Sequence, residues 1–160
     1  MSAIASAAND LIGTQLRAGN AVQFSITTRS MLPSLAPGDQ IRARGIRANE
    51  PRPGDIVMIR SEPHWLAHRL IATCVVNTEI RFVTQGDNCT ESDSLWSPEQ
   101  ICGIITNVKR QNREYCLESK RARRRGALIA QLLRRRAGWG SKKFFLRINA
   151  AAVRALVWLG

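Results

Sequence analysis

One serine, one histidine and two aspartates stand in an order that suits acyl transfer. Ser30 lies in the run Thr28-Arg29-Ser30-Met31-Leu32-Pro33-Ser34-Leu35-Ala36-Pro37-Gly38-Asp39, just after an alternating apolar segment. His68 sits in Leu66-Ala67-His68-Arg69-Leu70, and Thr84-Gln85-Gly86-Asp87-Asn88 is followed closely by Asp93. A serine hydroxyl is a weak nucleophile at neutral pH, so it needs a base for its proton and donors for the developing oxyanion. Imidazole titrates near neutrality and suits the first task. A carboxylate on the far ring nitrogen fixes the tautomer and stabilises the imidazolium. The cysteines at 74, 89, 102 and 116 show no C-x-x-C spacing, so neither a metal site nor a redox pair is expected. They read as reduced and mostly buried thiols.

The elements that must position these residues are short. Ile4, Ala8, Leu11, Ile12 and Leu16 recur at helical spacing, which predicts an amphipathic helix over 3–17, ended near Gly19-Asn20. Val22, Phe24 and Ile26 alternate with polar residues, which predicts a half-buried strand over 21–27 leading to Ser30. Pro37-Gly38-Asp39 and Pro53-Gly54-Asp55 are matched turn signals, each ahead of a strand, at 40–44 and 56–60. Further strands are expected at 66–76, 80–84, 101–109 and around 115–117. Short strands separated by turns argue an all-β barrel or sandwich.

Charge divides the chain. Residues 1–108 hold nine Arg and ten Asp or Glu, a net of −1, whereas 109–160 hold 15 Lys or Arg and two Glu, a net of +13. A basic segment predicts an anionic partner. Within it, Ala127, Leu128, Ile129, Leu132 and Leu133 mark one helix, interrupted by Gly138-Trp139-Gly140. Phe144, Phe145, Ile148, Ala152, Leu156 and Leu159 mark a second helix, with Lys143, Arg147 and Arg154 on another face. Basic amphipathic helices of this kind lie in a membrane interface, where Trp139 and Trp158 are also at home. An anionic membrane surface bound through 120–159 is the expected partner, docking on the β body or a protein partner the next. Nucleic acid is a weaker rival resting on Arg121–Arg125 and Arg134–Arg136. No signal peptide is recognised, and no run approaches the roughly 18 apolar residues of a spanning helix. The expected location is cytoplasmic and peripheral to a membrane.

With these residues in place a resemblance becomes specific. Ser30-Met31-x-Pro33-x-Leu35-x-Pro37-Gly38-Asp39 resembles the nucleophile box of type I signal peptidases, and Pro53-Gly54-Asp55-Ile56-Val57 their second box. His68-Arg69-Leu70 is similar to the base box of the endoplasmic-reticulum and archaeal branch, in which histidine replaces lysine. Phe82–Asn88, Asp93 and Ile101-Cys102-Gly103 resemble that branch's last box and closing strand. The likeness spans about residues 22–108. It implies a small coiled β barrel of the signal-peptidase and SOS-repressor peptidase type, and a serine endopeptidase acting on a leader or preprotein, with no cofactor. On this resemblance Ser30 is the nucleophile, His68 the base and Asp93 the orienting acid, with Asp87 second choice. Thr28 and the Ser30 N–H would form the oxyanion hole, and Met31 and Pro33 would contact substrate. Arg29 departs from the family's glycine, and the family's N-terminal spanning helix has no counterpart. The domain reading is a helix over 1–20, a β peptidase domain over 21–118 and a basic helical tail over 119–160. Two other functions fit the same fold class: a self-cleaving regulator cut at Ala18-Gly19, and a non-catalytic module that binds membrane or nucleic acid.

Overall fold

Residues 3–46 and 50–136 are described by a computed structural model. The expectations for Trp139, Trp158 and a second tail helix lie outside these residues. Ala3–Arg17 forms α1. Gly19 follows with φ +79°, a left-handed conformation that ends a helix without a Cβ penalty. Then come β1 (Ala21–Ser25), β2 (Gln40–Gly45), β3 (Ile56–Ser61), β4 (His64–Val76), β5 (Glu79–Gln85), β6 (Ile101–Arg110), β7 (Arg113–Cys116) and α2 (Lys120–Arg136). Every strand read from the sequence forms, within two residues at either end.

The fold is mainly β, one antiparallel sheet in the order β1-β2-β6-β3-β4-β5, with β7 also on β6. β6 is the shared spine. β2 pairs along one of its edges from Gly103 to Lys109, while β3 and then β7 occupy the other. Register shifts at Arg42/Ala43, Met58/Ile59 and Leu70/Ala72 bend the strands, as bulges do. Among the described residues the sheet is not closed, since the edge strands β1 and β5 do not pair with each other. Leu16 of α1, Met31, Leu35, Ile41, Ile105 and Val108 fill one side of the core.

The two Pro-Gly-Asp turns are built alike. Gly38 and Gly54 take φ of +90° and +109°, and Asp39 N–H and Asp55 N–H donate to the carbonyls of Ala36 and Arg52 at 3.0 Å. Each Asp carboxylate then accepts the N–H of the turn's first residue, at 2.8 Å for Ala36 and 2.9 Å for Arg52. Asp39 is buried and also receives Arg110 through two bonds of 2.8 and 2.7 Å. The Arg110 bonds hold its carboxyl below the usual carboxylate range, against burial, with help from the Ala36 N–H. A depressed folded-state value stabilises the fold above the ordinary Asp value of about 3.9, and that stability is lost as pH falls through the lowered value. Thermal melts below about pH 4 should therefore show wild type losing stability more steeply than Asp39→Asn, which lacks this titration.

The basic tail is not a free arm over its first half. One face of α2 packs Ala130 and Leu133 against Ile71, Ala72, Cys74 and Val83 of β4 and β5. Gly126 meets Gly54 backbone to backbone: a Cβ on Gly126 would stand 2.6 Å from the Gly54 carbonyl oxygen. Among the described residues, no helix is long and apolar enough to cross a membrane.

Candidate active site

β1 delivers the chain to Ser30, and the turn at 30–35 is anchored from below. Met31 is 2% exposed and packs in the core, so it anchors the loop and leaves no surface for a substrate, contrary to the expected contact. Pro33 is exposed after a cis peptide bond. It borders a cavity of about 670 Å³ between the nucleophile loop, β6, β7 and α2, whose lining includes neither Ser30 nor His68.

The three expected chemical groups come together from far apart in the chain. Ser30 Oγ lies 3.1 Å from His68 Nε2, and His68 Nδ1 lies 2.7 Å from Asp93 Oδ2. A carboxylate only accepts, so Nδ1 carries the proton and Nε2 presents its lone pair to the serine hydroxyl. Thr28 Oγ1 stands 3.3 Å from Ser30 Oγ. Among the described residues the Ser30 N–H donates to no protein acceptor. His68 is buried within β4, while Ser30 is half-buried.

Asp93 is placed by the chain doubling back. After β5 the backbone returns alongside it: Phe82 and Trp96 exchange two bonds of 2.9 Å, and Asp93 N–H donates to Thr84 O at 2.8 Å. Side chains complete this link. Thr84, fully buried, donates its hydroxyl to Asp93 Oδ2 at 2.5 Å and accepts the Trp96 indole N–H at 2.8 Å. Trp96, Thr84, Asp93, His68 and Ser30 thus form one hydrogen-bonded chain. The sequence reading gave Thr84 and Trp96 no role; Thr84 lay within the Phe82–Asn88 box, and Trp96 had no signal beyond its nearness to Asp93.

Asp87, the alternative acid, faces elsewhere. Both its oxygens are taken by Arg69, at 2.7 and 2.6 Å, with both side chains under 5% exposed. Arg69 also donates to Gly54 O at 2.6 Å and to Ser34 Oγ at 3.0 Å. One guanidinium therefore ties the nucleophile loop, the second Pro-Gly-Asp turn and the 86–89 turn together. That last turn is close-packed. Asn88 N–H donates to Ser30 O at 2.8 Å. A Cβ on Gly86 would stand 2.6 Å from the same oxygen and 3.2 Å from His68 Nε2. Cys89 is in this turn; burial, then Asp93 and Asp87, push its thiol up, so it stays protonated at neutral pH and Ser30 has no thiolate rival. All four cysteines are free.

His64 is exposed at the start of β4, and Trp65 packs against the core. Ala18-Gly19 sits in the hydrogen-bonded turn after α1, where Ala18 N–H donates to Thr14 O at 2.9 Å. β1 separates that bond from Ser30 by roughly 17 Å of strand, a poor arrangement for self-cleavage within one chain. No acidic, histidine or cysteine cluster able to hold a metal ion occurs among the described residues.

Chemically, the arrangement can move a proton from Ser30 to His68 while Asp93 holds the ring, which is the need of acyl transfer. Thr84→Val should lower kcat about 10- to 100-fold with KM little changed, from the loss of a hydrogen bond to a charged group. Thr84→Ser should recover most of it. Steady-state kinetics on a cleaved peptide measure this; equal loss in both variants would assign Thr84 a packing role alone. No protein-family model matches this chain, and no curated protein matches it.

Proposed function

We propose that the protein is a serine endopeptidase that cleaves a leader- or signal-type peptide through an acyl-enzyme. One observation carries this reading: the line from Ser30 Oγ through His68 to Asp93, at 3.1 and 2.7 Å, joins residues 38 and 25 positions apart. Ser30 attacks the peptide carbonyl as His68 takes its proton. The Ser30 N–H and the Thr28 hydroxyl receive the oxyanion. The imidazolium then protonates the leaving amine, and a water activated by His68 frees the acyl group. The substrate adds as a strand beside the segment leading to Ser30, the outer side of edge strand β1. The bent antiparallel sheet, the paired Pro-Gly-Asp turns and the box order agree with the likeness to histidine-type signal peptidases. The four free thiols suit a reducing compartment.

The test is mass spectrometry of peptide termini in a cell extract with added liposomes, treated in parallel with wild type, Ser30→Ala and His68→Ala. New termini with wild type alone are the expected result, and their flanking residues report specificity. The same termini from all three folded proteins would overturn the reading.

A further inference from the structure

α2 has two working faces, and the sheet uses only one. At 100° per residue, Gly126, Ala130 and Leu133 point to the β body, as their burial shows. On the opposite side, Arg121, Arg124, Arg125, Leu128, Leu132 and Arg135 fall within an arc of about 100°, with Arg121 and Arg125 also reaching the rim of the cavity beside β7. Leu128 and Leu132 are 61% and 63% exposed, among the most exposed large apolar side chains described. The four arginines are exposed too, and no acidic residue occurs anywhere in α2 to neutralise them.

We infer that this outward face of α2 is a docking surface for an anionic lipid bilayer. Each component matches one layer of the lipid interface. The leucines are short enough to enter the acyl boundary while the guanidiniums stay level with the phosphates, their stems covering apolar surface. Charge draws the helix to an anionic leaflet, and leucine burial holds it there. Nucleic acid answers only half of the surface, since phosphates gain nothing from two exposed leucines. The helix is held closely on its docked side, where Gly126 and Gly54 meet backbone to backbone and Ala130 and Leu133 are buried against the sheet. Lipid contact through α2 would therefore set the whole β body in a fixed pose on the bilayer. This surface does not depend on the peptidase reading.

Vesicle flotation of the full chain tests it, using phosphatidylcholine vesicles with and without phosphatidylglycerol. Wild type should float only with phosphatidylglycerol present, and less as salt rises. Leu128→Ser/Leu132→Ser should weaken binding at least tenfold, roughly the worth of two half-buried leucines. Arg124→Gln/Arg125→Gln should weaken it about 25-fold, at about fivefold per charge. These positions are exposed, so circular dichroism should show both variants folded; the two pairs also check one another. Three results would overturn the proposal. The first is no flotation of wild type. The second is binding unchanged in both variants, which would move the contact off α2. The third is duplex DNA binding that outcompetes the vesicles and is unaffected by the leucine pair, which would make the surface a phosphate-backbone site.

Discussion

Asp93→Asn should lower kcat about 10⁴-fold on a cleaved peptide while leaving the melting temperature near that of wild type. The amide keeps the shape of the carboxylate but removes the charge that stabilises the imidazolium. Turned with its NH₂ toward Nδ1, it also forces the wrong tautomer, so that Nε2 bears a proton facing Ser30. Because the Asp93 side chain is 19% exposed, its replacement leaves no deeply buried charge. Kinetics and thermal melts on one preparation check both halves. A fall in kcat of less than about tenfold would remove Asp93 from the chemistry.

Asp87→Ala should do the reverse. Its partner Arg69 is 4% exposed, and losing the carboxylate leaves a buried cation with two of its donors unmatched. Breaking such a pair costs about 3–5 kcal/mol. Denaturant melts should show that loss, with turnover per folded molecule falling far less than for Asp93→Asn. Comparable stability in Asp87→Ala and wild type would mean that the pair does not brace the loops. Two aspartates six positions apart thus separate into one bonded to the His68 ring and one bonded to the Arg69 guanidinium.

The sequence made some of this legible and hid the rest for physical reasons. Alternation located β1, where Val22 and Phe24 are the more buried residues, whereas the others were legible as short apolar runs between turn signals; β3 and β6 are buried on consecutive residues and show no alternation. The Pro-Gly-Asp turns announced themselves because their glycines need positive φ and their aspartates bond back locally. By residue type alone Asp87 and Asp93 are alike, both loop carboxylates, and only the resemblance ranked Asp93 first. What separates them is the return of 93–96 along β5, a long-range pairing with no local pattern. Met31 reads as a substrate contact but is buried, for a similar reason: an apolar residue beside a reactive serine looks the same in sequence whether it faces a substrate or the core. Gly126 reads as a weak point in a helix until Gly54 is found against it. Whether the sheet closes depends on bulges and edge pairing, which composition does not encode.

His68 and Arg69 are neighbours on β4, paired with Val57 and Ile56 of β3. Successive strand residues project to opposite faces, and here one face carries the base while the other carries the brace. A one-residue slip of β4 would bring Arg69 or Ala67 to the place of His68, and neither side chain can take the Ser30 proton. Hydrolysis would then serve as a built-in certificate of correct folding, since only molecules in register could cut.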